Sequence, residues 1–145
     1  MKRPWEVNLL IGLGVFAAVA VTLYWITWFN APQVIQPRTP ADPDYEIYVN
    51  FEQAFPLADA WLAAAALIGV VGLRKMRDWG FLFMLLAGSS AIFLGLMDLL
   101  YDLEHDMFVP LTTEAAIELI IVLLLLLLGS GVIGIVWRVR RIFFT

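Results

Sequence analysis

The chain has 145 residues, of which 62% are hydrophobic and only 15% charged, a balance outside the usual range of soluble domains. The absence of cysteine excludes disulfides, thiolate chemistry, iron–sulfur clusters and cysteine zinc sites. The net charge of −4 is split into blocks of alternating sign, and no basic patch with interleaved aromatics points to nucleic acid.

These features predict an all-α, polytopic membrane protein. We read residues 1–145 as a single domain, a bundle of four transmembrane helices at about 5–29, 56–73, 79–102 and 112–137, with one longer outer loop at 30–55. The first apolar run, Val7 to Phe29, follows Lys2 and Arg3 but is too long for a signal peptide, so it is a retained span. Trp5 at its start and Tyr24, Trp25 and Trp28 at its end suit the aromatic belts of the two membrane interfaces.

The outer loop carries Pro32, Pro37, Pro40 and Pro43, which rule out a continuous helix through its first half. Its second half, Tyr45 to Phe51, alternates apolar and polar residues imperfectly, which predicts a short strand or an interfacial segment. A loop of this length serves as a lid, a partner surface or a flexible connector. Pro56 suits the first turn of the second span. Asp59 lies 15 residue steps before Arg74, about 22 Å along a helix, and so roughly 7 Å inside the outer boundary.

The third span is the most informative. Between Asp78 and Asp98 lie 19 uncharged residues, enough to cross about 30 Å of hydrocarbon. Gly88, Ala91, Gly95, Asp98 and Asp102 recur every three or four residues and share one face. Small residues admit a neighbouring helix and a membrane-edge acid is best tolerated towards the bundle interior, so this face should point inward. In the fourth span the leucine run 123–128 suits lipid on every side, while Gly129, Gly131 and Gly134 permit close packing or bending.

Eight of the nine Lys and Arg residues fall on the side shared by both termini, with Arg38 alone on the other, against eleven acids there. The positive-inside rule makes the basic side cytoplasmic, with both termini inside. The segments FEQAFPLADAW (51–61) and LGLMDLLYDLEHDMF (94–108) resemble those of small bacterial four-span membrane proteins without an assigned activity. That resemblance implies a bacterial inner membrane and no particular mechanism.

Asp59, Asp98, Asp102 and Glu118 stand at the outer ends of three neighbouring spans, and their convergence would form an outward-facing carboxylate cup. Carboxylates so close do not all stay ionised without a cation. The cup would therefore serve a proton, a divalent cation such as Ca²⁺ or Mg²⁺, or a cationic small molecule. Asp59, Glu114 and Glu118 lie in or near first helical turns, where the helix dipole already favours acids; Asp98 and Asp102 lie at a helix C-terminus, where it opposes them. Asp98 and Asp59 are the expected central ligands, with Glu118 and Asp102 around them.

No resident cofactor and no particular metal is specified. The one histidine, His105, has no second histidine or cysteine to make a zinc site and no motif-placed serine. No catalytic residue is assigned. Two other readings remain open: a non-catalytic accessory subunit docking a larger membrane-protein partner through its lipid-facing helices and outer loop, and an isomerase-like membrane enzyme using paired carboxylates as acid and base. Four spans enclose no obvious pore, so transport would require a homo-oligomer.

Overall fold

The computed structural model describes residues 3–144. Five α-helices carry the fold: α1 (Trp5–Asn30), α2 (Tyr45–Glu52), α3 (Pro56–Arg74), α4 (Asp78–Glu104) and α5 (Thr113–Val139). Short 3₁₀ turns follow α1 at Pro32–Val34 and α5 at Arg140–Ile142. Four helices, α3 taken together with α2, are long and apolar enough to cross a membrane. At 1.5 Å per residue the 19 residues of α3 reach about 28 Å, and α1, α4 and α5 are longer.

Of the two forms expected for segment 45–51, a strand or an interfacial segment, the strand is not adopted. The segment is α-helical: Tyr48 and Glu52 are buried, one turn apart on a single face, while Glu46, Ile47 and Asn50 remain exposed. The helical face Tyr45–Tyr48–Glu52 outweighs the imperfect alternation because burying that face against the bundle satisfies the backbone internally as well.

The helices run antiparallel, α1 against α3, α3 against α4 and α4 against α5, while α1 and α5 touch far less. A core at the basic end joins all four long helices through Val7, Leu10, Leu73, Met84, Val132 and Val136. An aromatic core at the acidic end joins Trp28, Tyr48, Tyr101 and Met107. Since lipid is as apolar as leucine, tight backbone approach is what holds such helices together. Gly72 and Gly80 place α3 against α4 so closely that a Cβ on either would overlap the other's backbone. Gly88 and Gly129 do the same for α4 and α5, a Cβ on Gly129 falling 2.7 Å from the Gly88 carbonyl oxygen.

The inward stripe of α4 is observed: Gly88, Gly95, Asp98 and Asp102 are buried and Ala91 is half-buried, and Met84 continues the buried face. The three glycines of α5 divide, since Gly129 is in the helix contact whereas Gly131 and Gly134 have no neighbour within 4 Å of a Cβ. Gly129→Ala is therefore expected to cost about 1–3 kcal/mol by overpacking, and Gly131→Ala, two residues away, to leave stability unchanged or slightly raised. Thermal unfolding of the two variants in the same detergent measures the contrast.

Candidate functional site

Asp98 descends from the acidic end of α4 on the buried stripe, and Glu118 occupies the corresponding face of α5 with Ala115 and Val122. Thr112 caps α5, its hydroxyl oxygen accepting from the Ala115 amide (3.2 Å), and this fixes the helix start that sets the direction of Glu118. The third acid comes from α2: Glu52, at its last turn, points down into the bundle. One carboxylate oxygen from each of Glu52, Asp98 and Glu118 lies within 4.8 Å of the other two. All three residues are buried, with 4%, 8% and 2% of their surfaces exposed.

Hydrogen-bond donors are few around this trio. The Tyr24 hydroxyl donates to Glu52 Oε2 (3.0 Å). Glu118 Oε2 and the buried Tyr48 hydroxyl have no hydrogen-bond partner among the described residues. Arg38, the one basic residue at this end of the chain, does not reach the acids: its Nη2 donates to the His105 carbonyl (2.7 Å) and its Nε to Met107 Sδ (3.3 Å). Three like charges in that space require a compensating proton or cation.

The residues expected to converge do so in part. Asp98 and Glu118 meet, joined by Glu52, which the sequence reading had placed only among the acids of the outer side. Asp59 lines the same cavity but turns towards α1, where it accepts from Trp25 Nε1 (2.8 Å). Asp102 is buried one turn beyond Asp98 with Oδ2 unpartnered, and it lies outside both the trio and the cavity lining. The signal for Glu52 was present in the sequence as Tyr45, Tyr48 and Glu52 at helical spacing. For Glu118 it was the helical register with Val122 and Gly129.

A cavity of about 330 Å³ extends from the trio along the bundle, within the size range of small-molecule sites. Glu52, Asp59, Asp98 and Glu118 stand at one end, and Phe16, Ala17, Leu125 and Leu128 line the other. At the acidic end the aromatic core closes over the trio. Phe51 stacks on Tyr101 with centroids 3.9 Å apart, and Tyr101 stacks on His105 at 4.0 Å. His105 Nδ1 also lies 2.9 Å from the Tyr101 carbonyl oxygen, so this histidine is held as part of the cap. In the loop, the Thr39 amide and hydroxyl both donate to Asp42 Oδ2, which holds that carboxyl below the usual range.

Comparison with models of known protein families, with curated proteins and with solved structures gives no match. Arguments about function therefore rest on the site itself.

Arg38 ties the loop to the end of α4 and so keeps the cap in place. Arg38→Ala is expected to lose about 1–3 kcal/mol and to speed amide exchange in α2, which hydrogen exchange followed by mass spectrometry resolves from the rest of the chain.

Proposed function

We propose that this is a membrane protein that binds a cation, namely a proton, a divalent metal ion or a cationic small molecule, through the carboxylates of Glu52, Asp98 and Glu118. Asp59 borders the site. The observation that carries the reading is the trio itself: three buried carboxylates within 4.8 Å of one another, one of them with an unpartnered oxygen, and no salt-bridged basic side chain beside them among the described residues. Such an arrangement costs stability in the empty protein, and costs of this kind are typical of binding sites.

Two variants test it. Asp98→Asn and Glu118→Gln each remove one of the like charges, so the ligand-free proteins should insert and unfold at the same temperature as the parent or a few degrees higher. A gain of about 1 kcal/mol corresponds to roughly 2–4 °C for a chain of this size. Both variants should lose any stabilisation by Mg²⁺, Ca²⁺ or an amine. Protons compete with the cation for the same oxygens, so cation-dependent stabilisation of the parent should shrink as pH falls. A drop in the ligand-free unfolding temperature of both variants, with cation responses equal to the parent's, would assign the acids a structural role instead.

We further propose that the site opens on the outer side of a bacterial inner membrane, with both termini in the cytoplasm. The support is the charge asymmetry: Arg74, Lys75, Arg77, Arg138, Arg140 and Arg141 gather at one end of the bundle and Arg38 alone at the other. Because the chain has no cysteine, single replacements report sidedness cleanly. Thr39→Cys should react with an impermeant maleimide added to intact cells, and Lys75→Cys only after lysis; the reverse pattern inverts the topology.

A further inference from the structure

The cavity below the trio is not closed on all sides. α3 and α4 form its back wall through Leu62 and Ala91, but its front lies between α1 and α5, which pack on each other far less than α1 packs on α3 or α5 on α4. The residues at that front, Phe16, Ala20 and Leu23 of α1 and Leu124 of α5, line the cavity and are at the same time exposed. Phe16 lies 11 residues into α1, about 16 Å from its start, so the opening faces the hydrocarbon of a bilayer rather than water. Towards the aqueous end the lining is closed by Ile35 and Phe55, both buried, and the buried aromatic core of Trp28, Tyr48, Tyr101 and Met107 packs at the same end of the bundle. Access to the carboxylates is thus wider from the membrane than from solution.

The shape of the cavity separates the ligands that a carboxylate trio might hold. A bare metal ion would occupy only the space among the three acids. From Glu118 to Leu128 the apolar wall of α5 continues for ten residues, about 15 Å along the helix. That length of apolar wall has no role in holding an ion, and it matches a hydrocarbon chain lying parallel to α1 and α5. At the head of such a chain the unpartnered Glu118 Oε2 offers an acceptor where a protonated amine would sit, and the carboxylates supply the opposite charge.

We infer that the occupant is a single-chain amphiphile with a protonated amine head, entering from the bilayer between α1 and α5, its nitrogen among Glu52, Asp98 and Glu118 and its tail beside Leu125 and Leu128. This inference rests on the carboxylate reading above and narrows it to one ligand class.

The test uses the full chain in nanodiscs of zwitterionic lipid, titrated separately with n-dodecylamine, n-butylamine and n-dodecanol, with apparent Kd read from the unfolding midpoint. Dodecylamine should bind saturably and at least about tenfold more tightly than either of the others, a gap of about 1.4 kcal/mol. Ala20→Trp, which fills the opening without touching a carboxylate, should weaken dodecylamine about tenfold. Butylamine as tight as dodecylamine, or dodecylamine bound equally by Ala20→Trp and the parent, overturns the chain-in-cavity inference while the carboxylate reading survives. Dodecanol as tight as dodecylamine also overturns it, since the head charge would then contribute nothing. If neither amine binds, the inference fails, and the carboxylate reading fails with it only when Mg²⁺ and Ca²⁺ are also without effect. The ligand series on the parent protein decides the matter even if Ala20→Trp does not fold.

Discussion

A carboxylate taken out of water needs something to replace its hydration, and in this bundle replacements are scarce. Tyr24 gives Glu52 one donor and Trp25 gives Asp59 another, while Glu118 and Asp102 each keep an oxygen without a partner. The arrangement of the acidic end follows from that shortage. α2 folds over the trio instead of lying flat in the loop, and the aromatic core seals the aqueous side. The acids sit on the same helical faces that carry the small residues, because only those faces turn away from lipid.

The same constraint links packing to site geometry. Close contact between α4 and α5 at Gly88 and Gly129 fixes the relative position of the two helices three turns below Glu118. At that spacing Asp98 and Glu118 face each other. The α3–α4 contact at Gly72 and Gly80 anchors the opposite end. α1 packs along its middle on α3, where Gly14 lies against Val70 and Ala66, and meets α5 at its beginning, by Val7 and Leu10 in the basic-end core, and at its end by Trp28 in the aromatic core. Its middle, opposite the leucine-rich part of α5, is where the cavity opens. Separation of α1 from α5 alone, with the other helix pairs packed throughout, is what allows a membrane-facing entrance without exposing the acids to bulk water.

Much of the fold was legible in the sequence because membrane spans announce themselves by length: 19 uncharged residues before Asp98 fix both a helix and the depth of that acid. The inward direction of Asp98 was legible from its register with Gly88 and Gly95. The depth of Asp59 below the outer boundary was legible, but not its bond to Trp25, which depends on how α1 packs against α3. Glu52 was hidden because four prolines made the whole of 30–55 read as loop, and an eight-residue helix is too short to stand out from imperfect alternation. The division among Gly129, Gly131 and Gly134 was beyond local reading, since a glycine in a contact and a glycine facing lipid have the same neighbours in sequence.

The central claim is that Glu52, Asp98 and Glu118 act together as one cation site, and side-chain carboxyl resonances report on it most directly. With isotope-labelled Asp and Glu in nanodisc-embedded protein, the account predicts that adding a bound cation, dodecylamine first and Mg²⁺ or Ca²⁺ in turn, moves the carboxyl signals of these three residues and leaves those of Glu6, Glu46 and Glu114 in place. Signals from the three that stay fixed under every one of these cations, or that move no more than those of Glu6, Glu46 and Glu114, would contradict it.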